Sequence, residues 1–160
     1  MQTALRTALW LLLGGWLGSF GLFGLVIART VFLVLPSTEL AGRVVAPVLT
    51  SLHLYGAAAG VALAALALAL GRGGLRVGLP LVMAAACLYS QFVVSAEIAD
   101  LRSLAFGPEG NEAAAARWTE LHRLSMGIFL AVSAGVVALV GLHARSDARP
   151  SERSTGHGPG

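Results

Sequence analysis

Four stretches of this chain, residues 8–28, 44–70, 77–96 and 124–142, contain no Asp, Glu, Lys or Arg, and only short polar segments separate them. The first has 21 residues, close to the roughly 20 that an α-helix needs to cross about 30 Å of hydrocarbon. In a chain of 160 residues, four such runs leave room for little besides membrane-spanning helices. The composition agrees. Hydrophobic residues make up 56% and charged residues 12%, with a mean hydropathy of +0.78, whereas a soluble domain carries about 25% charged residues. The same balance excludes a disordered chain. A lone cysteine, Cys87, excludes a disulfide scaffold or a cysteine-based metal cluster. The formal charge of +3 comes from eleven arginines, no lysine and eight acids. The arginines are dispersed, so a nucleic-acid partner has no footprint.

The expected fold is an all-α integral membrane four-helix bundle, in a domain of residues 1–145 with spans over about 8–34, 44–70, 77–97 and 121–143. Arg6 ahead of the first apolar run also fits a cleaved signal peptide, but apolar regions of signal peptides run to only about 7–15 residues. A retained first span is the expectation. Gly71, Arg72, Gly73 and Gly74 end span two and predict a tight hairpin into span three. Ser37 or Thr38 caps a helix running through Ala41 into span two, and Asn111 caps another running through His122 into span four. Spans two and four therefore extend beyond the membrane on the outer side. Phe106, Gly107, Pro108, Glu109 and Gly110 form the turn of an outer helical hairpin. Residues 146–160, rich in Ser, Gly, Pro and charge, predict a disordered cytoplasmic tail in which His157 is solvated. His143 is expected at the interface, where the last carbonyls of its helix tolerate a partly cationic ring.

Four spans place the N-terminus, the 71–76 turn and the tail on one side. That side carries six arginines and a net charge of +4, against five arginines and a net −1 on the other. Under the positive-inside rule both termini are expected in the cytoplasm.

The two halves resemble one another. FGLVIAR at 23–29 parallels QFVVSAE at 91–97, and Leu52-His53 parallels Leu121-His122. A two-span unit repeated once keeps its orientation, which relates the halves by an axis along the membrane normal. At 1.5 Å per residue Arg29 lies about 32 Å from the start of span one, Glu97 about 27 Å from Leu79, His53 about 25 Å from Leu70 and His122 about 30 Å from Leu142. All four reach the same outer boundary, one from each span, with Tyr55, Gln91, Ser95, Arg123 and Ser125 at neighbouring depths. Ionisable groups at membrane depth pair or line a cavity. Arg29 with Glu97 is the expected pair, and Arg29, His53, Glu97, His122 and Ser125 form the candidate polar or ligand site.

Each of these residues also has a plainer reading. Arg and Glu near helix ends snorkel to headgroups, and His and Trp belong to the interfacial belt. His53 and His122 could serve as axial ligands of haem or, with Glu97, as ligands of a divalent metal; the alternative is a hydrogen bond to another helix or to a headgroup. Gly14 with Gly18 and Gly56 with Gly60 are small-residue pairs that permit close helix contact, within one bundle or between subunits. Trp16 falls within the bilayer and packs, while Trp10 and Trp118 suit anchoring. Cys87 inside span three is expected to be inert. No phosphate loop, nucleophile elbow or zinc-protease motif occurs.

Several strings occur together: GGWLGSF at 14–20, AGR at 41–43, LHLYG at 52–56, YSQF at 89–92, EI at 97–98, FGPEG at 106–110 and LHRLS at 121–125. On these the chain resembles, over about residues 8–143, the bacterial family catalogued as domain of unknown function 4149, which is similar to eukaryotic transmembrane protein 205. The most specific elements are Glu97 with Arg102 following, and Leu121, His122 and Ser125. The family commonly has asparagine four positions after that serine, where this chain has Phe129. The resemblance implies a four-helix membrane protein with no established activity. More distantly, the arrangement is similar to four-helix copper-resistance and haem-containing membrane proteins, a likeness of architecture alone. Three functions compete: a non-enzymatic protein whose outer polar layer stabilises the bundle or binds a partner, lipid headgroup or small ligand; a haem- or metal-binding protein using His53 and His122; and a small-solute transporter. The expected partners are the lipid bilayer and either a second copy or another membrane protein.

Overall fold

The computed structural model describes residues 1–107 and 110–148. Four helices fill almost all of it: α1 (Gln2–Val34), α2 (Thr38–Ala69), α3 (Leu75–Phe106) and α4 (Glu112–Asp147). Each has 32 to 36 residues and contains a window apolar enough to cross a membrane. No strand occurs among the described residues.

The helix ends lie where local chemistry puts them. Ser37, in extended conformation, accepts the N–H of Leu40 at 3.2 Å and starts α2. Asn111 accepts from Ala113 and Ala114 at 2.8 and 3.2 Å and starts α4, so each cap satisfies N–H groups the helix leaves open. At the far end of α2, Gly71 takes φ +68°, which a side chain would resist; Gly71 N–H then bonds Leu68 O and Arg72 N–H bonds Ala67 O. These are the two bonds of a Schellman stop. The outer extension of α2 and α4 is thus as expected, but α1 and α3 are long too. The first connection is only residues 35–37, because α1 continues to Val34, and α3 runs on past Glu97 to Phe106. At its other end α4 continues to Asp147, so Ser146 and Asp147 are helical and not part of a tail. Pro108 and Glu109 of the predicted outer turn, and residues 149–160 of the predicted tail, His157 included, lie outside the described residues.

Two of the four helices contain a π turn, Phe23–Ile27 in α1 and Ser90–Val94 in α3. A π turn inserts one residue and rotates the remainder of its helix by about 100° relative to an unbroken α-helix. The two turns fall within one position of each other when the halves are aligned as 23–29 on 91–97.

Each helix packs against its neighbours in sequence, and α4 closes the ring on α1. The diagonal pairs, α1 with α3 and α2 with α4, make no close backbone approach among the described residues. The core lies where small residues let neighbours come near. Trp16 is fully buried, and a Cβ on Gly60 of α2 would stand 2.5 Å from Pro80 O of α3 and 3.3 Å from the Trp16 ring. One on Gly56 would stand 2.9 Å from Cys87 Sγ and 3.2 Å from Trp16 Nε1. Gly56 and Gly60 are therefore the point where α2 receives groups from both α1 and α3. Between α4 and α1, Phe129 stacks on Phe20 at 5.1 Å and meets Phe23 edge-on at 5.6 Å. Phe129 is thus an aromatic contact between the first and last helices. Outward, Leu11, Leu25, Leu33 and Leu130 are each more than 60% exposed, as expected where the solvent is lipid and apolar side chains gain nothing by turning inward.

Candidate functional site at the end opposite the termini

The helix directions alternate, so residues 35–37 and Gly107, Gly110 and Asn111 share one end while Gln2, Asp147 and the 70–74 turn share the other. Arg29, Glu97, His122 and Ser125 lie towards the first of these ends, whereas His53, expected at the same depth, stands at the middle of α2, 15 residues from Thr38 and 16 from Ala69. The fold does not gather them into one site.

Arg29 and Glu97 stand on α1 and α3, a diagonal pair, and the predicted ion pair between them is not formed. Arg29 is exposed. Glu97 is held by Arg117 of the adjacent α4, whose Nε and Nη2 donate to its two oxygens at 2.9 and 3.4 Å, while Nη1 donates to Glu120 at 2.9 Å. Arg117 is thus the member of this charged cluster that the sequence reading did not single out. It lies five residues before His122, in a segment read as a plain alanine-rich helix. Its spacing of three from Glu120 was the available signal.

His53 and His122 stand on the other diagonal pair. His53 is buried, 1% exposed, with Nδ1 3.4 Å from Gln91 Oε1 in the π turn of α3. This is the interhelical hydrogen bond that formed the plainer reading. Its Nε2 is buried without a partner among the described residues. His122 faces outward, its ring stacked on Trp118 at 5.1 Å, with Phe106 edge-on to the same indole. Two histidines of which one is inside the bundle and the other on its exterior cannot ligate one haem iron within this chain. The described residues also contain no group of three His, Cys, Asp or Glu placed to hold a metal. Ser125 is buried, 6% exposed, one turn beyond Leu121.

What the end does contain is a cleft of about 310 Å³ between α3 and α4. Tyr89, Val93, Leu121 and Leu124 supply apolar walls, and Glu97, Arg117 and Glu120 supply a charged rim with one negative charge in excess. A molecule with an apolar body and a polar, positively charged end matches that lining.

Helix length, apolar surface and the ring of four make this protein an all-α, four-span integral membrane protein. Comparisons with models of known families, with curated proteins and with solved structures found no match.

Proposed function

We propose that this chain is a non-enzymatic membrane protein that binds a small amphipathic ligand with a cationic head in the cleft between α3 and α4. The observation that carries the reading is the Glu97–Arg117–Glu120 cluster on the lip of an apolar-walled cleft. Arg117 bridges both carboxylates and leaves the cluster one negative charge in excess for a ligand's cationic head. The resemblance to the domain of unknown function 4149 family and the arginine distribution add the setting, a bacterial inner membrane with both termini cytoplasmic, so that the cleft opens at the outer boundary.

The test is equilibrium binding of a fluorescent long-chain amine to protein in mild detergent, with a long-chain sulfate as comparison. Wild type is expected to prefer the amine, and Glu97→Gln with Glu120→Gln to weaken it by about tenfold, the size of one lost charge contact near 1.4 kcal/mol. Equal binding of both probes, or no effect of the double substitution, sinks the reading. An absorption band of haem that disappears in His53→Ala would replace it with the cofactor reading.

A further inference from the structure

The opposite end of the bundle gathers charge from three elements. Arg6 of α1, Arg72 of the α2–α3 turn and Arg76 of α3 line a second cleft of about 310 Å³, mostly polar, together with Gln2, Gly73 and Ser146. Among the described residues one carboxylate faces them. Asp147 accepts from Arg72 and from Trp10 Nε1 at 3.1 Å, and stands 3.9 Å from Arg6. It offsets one of the three positive charges. Arg72 is further committed, because its Nη1 donates to His143 Nδ1 at 2.6 Å. A guanidinium has no acceptor, so His143 sits there as a neutral ring; it is fully buried and not the partly cationic interfacial residue expected from the sequence. Arg76 gives its Nε to Leu142 O at 3.3 Å and has no carboxylate partner among the described residues.

The backbone adds to the positive field. Helix α3 starts at Gly74, which offers no capping side chain, and its first turn has no acid but holds Arg76, the wrong sign for the positive end of a helix dipole. No backbone acceptor takes the N–H groups of Gly73, Gly74, Leu75 or Arg76 among the described residues. Among the described residues, two guanidinium charges in excess of Asp147, the backbone of Gly73 and the first turn of α3 at Arg76 meet at this cleft.

We propose that this cleft binds a phosphate oxyanion, with Arg6 and Arg76 as its direct ligands and Arg72 positioning the turn through Asp147 and His143. The anion completes what the chain leaves open: it neutralises the excess guanidinium charge and accepts from the first amides of α3. Its depth is that of a lipid headgroup. Arg6 stands two residues before the first uncharged run and Leu70, on the cleft wall, ends the second. A phosphodiester of an anionic phospholipid and free inorganic phosphate share the chemistry, and binding separates them. This inference is independent of the cleft at the other end.

The experiment titrates full-length protein in neutral detergent with short-chain phosphatidylglycerol, short-chain phosphatidylcholine and inorganic phosphate. Arg6→Gln with Arg76→Gln is compared with Arg43→Gln with Arg123→Gln at the opposite end. Saturable binding of phosphatidylglycerol over phosphatidylcholine, weakened tenfold or more by the first pair and unchanged by the second and by Glu97→Gln, identifies a lipid site. The same pattern with inorganic phosphate alone identifies a soluble anion. Arg6→Lys with Arg76→Lys, which keeps the charge, is expected to retain most of the binding and guards against loss of fold in the Gln pair. Absence of saturable binding to wild type, or equal binding by wild type and a folded Arg6→Gln with Arg76→Gln, overturns the proposal.

Discussion

At the residue scale, the bundle depends on a few places where one atom more would not fit. Gly60 lets Pro80 O and Trp16 approach α2, and Gly60→Val is expected to cost about 1–3 kcal/mol, the range for overpacking. Gly14 has nothing within 4 Å of where its Cβ would be. Gly14→Ala should therefore leave unfolding in detergent nearly unchanged or raise its midpoint slightly. Equal losses at both positions would mean that α1 is closely approached at Gly14 as well. The His53–Gln91 bond is the other discrete contact. A double-mutant cycle with His53→Leu and Gln91→Leu should give a coupling of about 0.6 kcal/mol, the usual size for interhelical hydrogen bonds in membranes; a coupling of zero would assign His53 some other partner. That Trp16 packs and that Cys87 lies in apolar surroundings was expected from their places inside spans one and three, and both are buried. The state of His143 was not, since it depends on Arg72, 71 residues away.

At the element scale, the caps were readable because they are local. Ser37 and Asn111 do what their side chains predict over three residues of chain. Replacing either by alanine should cost about 1 kcal/mol and raise amide exchange at Leu40, or at Ala113 and Ala114, before the rest of the helix. The π turns were not readable. No residue type marks them, and each turns the face beyond it by about 100°, which defeats any extrapolation of Glu97 or Arg29 along an ideal helix. The partner of Glu97 is consequently on α4. In a Cys87→Ala background, cysteines replacing Glu97 and Arg117 should join through a short thiol cross-linker, and cysteines replacing Arg29 and Glu97 should not. The reverse result would place α1 beside α3.

At the scale of the whole molecule, two hairpins are laid side by side and each helix backbone approaches only its neighbours in the ring. That order separates the chemistry into two ends: a cleft with excess negative charge between α3 and α4, and a cleft with excess positive charge where α1, the central turn and α4 converge. Thiol labelling with an impermeant reagent should reach Gly73→Cys from the same side as a C-terminal reporter, and Glu120→Cys from the other. Labelling of both cysteines from one side would mean that α3 does not cross.

The sequence by itself determined the class, the number of spans, the helix caps and the turn between α2 and α3, because uncharged length and capping chemistry act within a few residues or along one helix. Which side chains meet was decided only by the tertiary structure. Depth along a helix comes from counting residues, so Arg29, Glu97 and His122 could be placed at one level. Azimuth and neighbour order do not come from counting: two π turns rotate the helix faces, and in a ring of four the residues of alternate helices lie across a diagonal with no close backbone approach to bring them together.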